Sequence, residues 1–263
     1  MSEKVKSSDR IASPVRKVGN IAVIFAGGQG IRFGDSNKPK QFHYISGKPV
    51  IIHTLEHFDR HDKIDGIIVV CVENWIPRLE GMLKDFGLSK VVEIVAGKST
   101  AWESIFAGLN CALKYFNGES VVLIHDAVRP LIDCRTIDDN IETVKKYGSC
   151  ITCYPIVETV ISKKADGTIA IPSYQGGFLI ARAPQSFFLN KIIAVYEKAC
   201  RDVNSSFSDC CTMMNHYGEQ LHTIIGPAEN IKITFPADLL MIEAIITMRK
   251  TTASQYSLSH DVV

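Results

Sequence analysis

The run Ala26-Gly27-Gly28-Gln29-Gly30-Ile31-Arg32-Phe33-Gly34, closing on Lys38-Pro39-Lys40-Gln41, carries the residue types that hold phosphate. Glycine lets an anion approach the backbone N–H groups, and Arg32 and Lys40 add two cations within one loop. A nucleoside triphosphate suits such a loop; an ordinary surface loop is the competing reading. Spacing excludes two familiar phosphate loops. Gly97-Lys98-Ser99-Thr100 has the ending of a Walker A loop, but Val92 stands where its first glycine belongs. The dinucleotide spacing Gly-x-Gly-x-x-Gly fails at Phe33.

A second constellation is His125-Asp126-Ala127-Val128-Arg129-Pro130. Asp126 suits a metal ion or a substrate hydroxyl, and Arg129 a bidentate grip on phosphate; alternatively the two form a structural ion pair. Lys232, in the β-branched run Asn230-Ile231-Lys232-Ile233-Thr234, either snorkels from a strand or is aimed at an anion. Cys150-Ile151-Thr152-Cys153 is formally a C-x-x-C pair. It lacks a second pair at zinc-ribbon spacing, and alternate strand faces separate its thiols, so it reads as structural.

The elements that must position these groups alternate in type. Ile21–Phe25 reads as a buried strand, Val50–Asp59 as a helix, Gly66–Val72 as a strand and Pro77–Phe86 as a helix. Val91–Val95 continues as a strand, Ala101–Tyr115 as a helix and Ser120–His125 as another strand. Repeated βαβ order predicts an α/β fold, a mainly parallel sheet with helices on both faces. Ligands of such sheets sit outside the carboxyl ends of the strands, where both motifs fall. The order breaks after Cys150. A strand over Ile151–Ser162, a turn at Ala165–Thr168 and a return strand at Ile169–Pro172 predict an inserted β-hairpin, either an arm for a second subunit or a lid.

Length and composition bound the rest. The 263 residues suit one domain over 19–250, with an arm at about 151–182 and polar tails at 1–18 and 251–263, the first expected to be mobile. Hydrophobic content of 46% and charged content of 22% are those of a soluble globular protein. A net charge of +1 speaks against nucleic acid as the main partner, and no apolar run approaches the ~20 residues of a membrane span. Eight cysteines without a regular framework suit a reducing cytoplasm.

Taken in order, Ala26-Gly27-Gly28-x-Gly30-x-Arg32, Pro39-Lys40-Gln41-Phe42, the His125–Pro130 motif, Pro184-Gln185-Ser186-Phe187 and Asn230-Ile231-Lys232-Ile233-Thr234 carry a resemblance. Over about residues 20–247 the chain resembles the cytidylyltransferases that make CDP-linked polyols. Gly47-Lys48-Pro49, His53-Thr54-Leu55-Glu56 and Val128 lean toward the ribitol-5-phosphate branch; the methylerythritol-phosphate branch more often has alanine at that valine. The resemblance implies a Rossmann-like, glycosyltransferase-A-like sheet with a β-hairpin arm. It implies CMP transfer from CTP to a polyol phosphate, with D-ribitol 5-phosphate giving CDP-ribitol and pyrophosphate. Mg²⁺, a homodimer formed through the arm, and a cytoplasmic place in cell-surface polysaccharide synthesis are implied as well.

The resemblance also assigns roles. Arg32 and Lys40 hold the triphosphate, and Lys232 reaches the α-phosphate from the other side. The backbone from Ala26 through Gly27 and Gly28 to Gly30, with Gly97 and Ser104, serves CTP. Asp126, Arg129, Thr159 (from the neighbouring subunit), Gln175 and Asp209 fall at the acceptor, with Asp126 also placed by the metal, which CTP phosphates and water mostly bind. Three positions depart from the family. Ala101 stands in place of a usual arginine, with Lys98 as a substitute cation. Gln175 stands where an arginine often grips the acceptor phosphate, a task open to Arg182. Ala183-Pro184-Gln185 replaces Thr-Pro-Gln. Three alternatives share parts of this reading: a methylerythritol-4-phosphate cytidylyltransferase, a sugar-1-phosphate nucleotidylyltransferase, and a nucleotide-binding regulator without turnover. An oxidoreductase is disfavoured by the failed dinucleotide spacing.

Overall fold

The first strand is apolar from its second residue on because both of its faces are covered. In the computed structural model, which describes residues 16–28, 33–34, 38–172, 177–202 and 207–258, β1 spans Asn20–Ala26. Ile21 and Val23 join a core with Leu109, Ile192 and Met213, whereas Ala22 and Ile24 point into another with Ile51, Leu55 and Ile141. The period of two along the strand thus splits one sequence block between two cores.

The chain continues as β2 (Tyr44–Ile45), β3 (Lys48–Pro49), α1 (Val50–Asp59), β4 (Gly66–Cys71), α2 (Ile76–Asp85), β5 (Val91–Ala96), α3 (Ala101–Tyr115) and β6 (Val121–Asp126). It then forms α4 (Cys134–Tyr147), β7 (Ser149–Pro155), β8 (Ser162–Lys163), β9 (Ile169–Ala170), β10 (Leu179–Phe188), α5 (Leu189–Arg201), α6 (Cys210–His216), β11 (Thr223–Ile225) and α7 (Pro236–Leu258). A seven-stranded sheet runs β11-β7-β10-β6-β1-β4-β5. β1 pairs in parallel with β4 and β6, as do β4 with β5 and β7 with β11, while β10 is antiparallel to both neighbours. The mainly parallel, Rossmann-like sheet expected from the sequence is the one found.

α3 lies close on this sheet because Gly108 has no side chain: a Cβ there would fall 2.6 Å from Val70 Cγ2 and 2.9 Å from Val23 Cγ1. Its start is fixed by a capping box, in which the Thr100 hydroxyl accepts from the Glu103 N–H and the Glu103 carboxylate accepts from the Thr100 N–H. A third, smaller core joins Ile242 and Ile246 of α7 to Val128, Leu131 and Ile233. It clamps the loops that leave the carboxyl ends of the strands.

Several sequence expectations need correction. β7 starts at Ser149 and stops at Pro155, instead of running over Ile151–Ser162. Its last paired residue is Pro155, opposite Leu179, and the Ile156 N–H then reaches the Phe178 carbonyl at 3.0 Å. Residues 156–161 are rich in β-branched side chains but have no strand beside them among the described residues; propensity without a partner builds no ladder. The return strand is two residues long and pairs Ser162 with Ala170 and Lys163 with Ile169, across a turn held by the Asp166 carboxylate. At the ends, Lys17 bridges to Phe116 and its ammonium pairs with Asp65, so the docked chain begins before residue 19. α7 continues past Lys250 to Leu258. Cys150 and Cys153 belong to opposite cores, and burial pushes their thiols up to about 12 and about 11. No described helix is long and apolar enough to cross a membrane.

Candidate active site

Parallel pairing places the two chemical loops side by side. Phe25 of β1 lies opposite Asp126 of β6, and the Ala127 N–H donates to the Phe25 carbonyl at 3.0 Å. The glycine loop and the acid loop therefore leave the sheet together, over its carboxyl edge. Between them and the loop after β5 lies a cavity of about 610 Å³, lined among others by Ala26, Gly27, Gly28, Lys40, Asp126 and Lys232. Lys98, Ser99, Thr100 and Ala101 close its far side.

Each wall has a local cause. The buried Gln41 amide donates to the Ala26 carbonyl at 2.6 Å and to the Gly28 carbonyl at 3.3 Å, which fixes the start of the glycine loop. Lys40, in the 3₁₀ turn Lys40–Phe42, donates to the Ile233 carbonyl at 2.7 Å. Gly97 approaches Gly27 so closely that a Cβ on it would sit 3.4 Å from the Gly27 Cα. Ser104 lies beneath this loop, outside the cavity lining: its Oγ accepts from the Lys98 N–H at 2.8 Å and donates to the Thr100 carbonyl at 2.7 Å.

Asp126 is the electrostatic centre. Lys232 donates to its Oδ1 at 2.7 Å and Arg129 Nε to its Oδ2 at 2.8 Å, while a second Arg129 nitrogen donates to the Asn230 carbonyl at 2.9 Å. Burial opposes ionisation of this carboxyl, but the charges of Lys232 and Arg129 outweigh it and hold Asp126 well below the usual carboxylate range. The ion pair raised as one reading of the sequence is present, and Asp126 also lines the cavity. Beside it, burial pushes His125 down to about 3, so its ring is neutral at physiological pH.

A second cavity, of about 190 Å³, adjoins the first and shares Asp126 and Lys232 with it. Arg129, Arg182, Ser208 and Asp209 line it too. Arg182 donates to the carbonyls of Pro227 (3.0 Å) and Ala228 (2.8 Å), with its guanidinium 4.6 Å from the Tyr154 ring centroid. Asp209 caps α6 by accepting from the Thr212 N–H at 2.8 Å. Thus Lys40, Lys232, Ala26, Gly27, Gly28, Asp126, Arg129 and Asp209 converge on two joined cavities, with Gly97 packed behind. Thr159 is exposed on the arm and lines neither of them. Gly30, Arg32 and Gln175 lie outside the described residues.

Sequence reasoning gave no role to Gln41, or to Asn230, whose amide nitrogen donates to the Ala183 carbonyl at 2.8 Å. Their neighbours, Lys40 and Phe42 for Gln41 and Glu229 and Ile231 for Asn230, gave no signal that either amide turns to a backbone carbonyl. For a divalent cation the donor set is sparse. Among the described residues, Asp126 is the one carboxylate on the larger cavity, and no group of three or more His, Cys, Asp or Glu could hold a metal. That fits Mg²⁺ carried on a triphosphate, with one protein carboxylate beside it.

The parallel sheet, the glycine loop at its carboxyl edge and the cations around Asp126 define a nucleotide-binding α/β protein of the nucleotidyltransferase class. Residues 20–248 match the family model described as "IspD: 2-C-methyl-D-erythritol 4-phosphate cytidylyltransferase", and the chain belongs to that family of cytidylyltransferases. It is therefore an enzyme that transfers CMP from CTP to a polyol phosphate. The chain is 45% identical over 227 residues to the ribitol-5-phosphate cytidylyltransferase of Vibrio parahaemolyticus serotype O3:K6, covering 86% of this chain and 95% of that one. It is 41% identical over 231 residues to the enzyme of the same name from Streptococcus agalactiae serotype V, covering 88% and 96%. In fold it is similar to the crystal structure of 4-diphosphocytidyl-2C-methyl-D-erythritol synthase from Anaerococcus prevotii, with a TM-score of 0.75 and 24% identity over 88% of this chain and 99% of that one.

Proposed function

We propose that the chain transfers CMP from CTP to D-ribitol 5-phosphate, giving CDP-ribitol and pyrophosphate. The observation that carries this reading is the pair of adjoining cavities with Asp126 and Lys232 on their common wall. The larger takes CTP and the smaller the acceptor, so the reacting atoms meet beside the Lys232 ammonium. The acceptor is taken as ribitol 5-phosphate because the relatives at 45% and 41% identity bear that name.

An acceptor phosphate oxygen attacks the α-phosphorus of CTP. A new P–O bond forms as the bond to the bridging oxygen breaks, and the electron pair leaves with pyrophosphate. Such a step needs alignment and charge neutralisation more than covalent help. Lys40 and Arg32 neutralise the triphosphate, Lys98 adds a cation on the far wall, and Lys232 faces the α-phosphate. The N–H groups from Ala26 to Gly30 and the Gly97 loop, braced by Ser104, hold the nucleoside. Arg129 and Arg182 hold the acceptor phosphate, while Asp126 and Asp209 accept hydrogen bonds from polyol hydroxyls. Asp126 would help hold a Mg²⁺ carried by the triphosphate, which would offset phosphate charge.

The arm reads as a dimer element. Val157 (87% exposed) and Ile171 (69% exposed) present apolar surface that a second copy would cover, and Thr159 beside them would then enter the partner's acceptor site. Eight unpaired cysteines suit work in the cytoplasm. A second reading, methylerythritol 4-phosphate as acceptor, is favoured by the description of the family model. Pyrophosphate release with Mg²⁺ and CTP against ribitol 5-phosphate, methylerythritol 4-phosphate, ribulose 5-phosphate, glycerol 3-phosphate and glucose 1-phosphate separates the two. Preferential turnover of ribitol 5-phosphate supports the proposal, and preference for any other acceptor overturns it.

A further inference from the structure

Every backbone carbonyl from Asp126 to Pro130 has a partner. The Asp126 carbonyl accepts from the Arg129 N–H at 3.1 Å and the Val128 carbonyl from the Ile233 N–H at 3.0 Å. Side chains satisfy the other three. Thr54 Oγ1 donates to the Ala127 carbonyl at 2.9 Å, His125 Nε2 to the Arg129 carbonyl at 3.2 Å and His57 Nε2 to the Pro130 carbonyl at 3.1 Å. A carbonyl only accepts, so each imidazole carries a proton on Nε2 at these contacts.

Thr54 and His57 are three residues apart on α1, hence on one face of the helix. His53, on the same helix, bonds the Ile45 carbonyl at 2.9 Å, which ties α1 also to the segment that follows Lys40. His57 lines neither cavity. A guanidinium that must meet a phosphate needs a backbone fixed to within a fraction of an ångström, because small displacements of a positioned group are costly in rate. We propose that His57 is a positioning residue for Arg129, acting through the Pro130 carbonyl, with His125 as its counterpart on the Arg129 carbonyl. The two rings grip consecutive peptide groups, one from α1 and one from β6, and so set where the Arg129 side chain leaves the loop.

The inference rests on the reaction proposed above, and its test separates the two. In His57→Phe the donor is lost; in His57→Gln an N–H donor is kept. For pyrophosphate release, His57→Phe is expected to lower kcat/KM for ribitol 5-phosphate about 10- to 100-fold, with KM for CTP unchanged within about twofold. His57→Gln should return acceptor kcat/KM to within about threefold of the unaltered protein. Equal losses in both variants, or CTP and acceptor constants moving together, would mean a structural role only. A readout that needs no turnover is the Arg129 Nε–H resonance, assigned with Arg129→Lys. It should shift in His57→Phe and be restored in His57→Gln; an unmoved resonance overturns the inference. Should His57→Phe not fold, nitrogen NMR of the unaltered protein decides: His57 protonated on Nε2 supports the contact, and protonation on Nδ1 alone overturns it. If the unaltered protein releases no pyrophosphate with any acceptor, the reaction is refuted while the resonances still judge His57.

Discussion

Asp126 holds two cations on one carboxylate, and the two cavities meet at that point. Another cation of the larger cavity, Lys40, anchors to the Ile233 carbonyl and adds little to the cores. Lys40→Ala should therefore lower kcat by about 100-fold or more while changing unfolding free energy by less than about 1 kcal/mol. Pyrophosphate release and urea unfolding check this. A variant that unfolds while its folded fraction turns over normally would remove Lys40 from the chemistry. At this scale the sequence was legible where chemistry is local: glycines after a strand, and an acid and an arginine three residues apart. Local pattern left Lys232 open between two readings, because it meets Asp126 across 106 positions of sequence. Nothing beside Lys232 distinguishes a snorkelling lysine from one aimed at an anion, because only the fold brings the acid to it.

α3 begins at the rim of the larger cavity, and its cap and the cavity wall are the same residues. Thr100 lines the cavity and accepts from the Glu103 N–H at 3.1 Å. Thr100→Ala should cost about 1 kcal/mol of stability and raise KM for CTP, by freeing the loop that carries Lys98. Thermal unfolding and saturation kinetics measure the two effects; a stability loss with unchanged KM would detach the cap from the nucleotide site. The arm invites a different test. Val157→Asp combined with Ile171→Asp places charge on its apolar surface and should shift sedimentation velocity from dimer to monomer. An unaltered protein that is already monomeric at micromolar concentration would contradict pairing through the arm. Helices and buried strands were legible because their apolar periods are long and covered by neighbours. The segment 156–161 was misread because its β-branched residues meet no partner strand, which is a tertiary fact.

The whole molecule keeps three histidines neutral to hold its loops, and this gives its stability a direction in pH. Burial is the main cause for each: it pushes His125 down to about 3 and lowers His53 and His57 from 6.5. As pH falls through 6.5 the unfolded chain takes up protons that the folded chain refuses, so stability present above 6.5 is lost toward pH 3. Asp126, depressed from 3.8, adds a further loss below that value, where only the unfolded carboxyl protonates. His125 alone should remove about 2 kcal/mol between pH 7 and pH 5, and His125→Gln, which does not titrate, should lose correspondingly less. Urea midpoints at the two pH values check this, and equal midpoints would contradict it. The doubly covered sheet could be read from its apolar blocks; the histidine bonds to loop carbonyls could not, since a histidine in a helix or strand pattern does not announce its acceptor. The most direct measurement is a competition: Mg²⁺, limiting CTP and equal amounts of ribitol 5-phosphate and methylerythritol 4-phosphate, with the products weighed by mass spectrometry. CDP-ribitol as the dominant product is the expected result; dominant CDP-methylerythritol, or CTP left intact, would contradict the assignment.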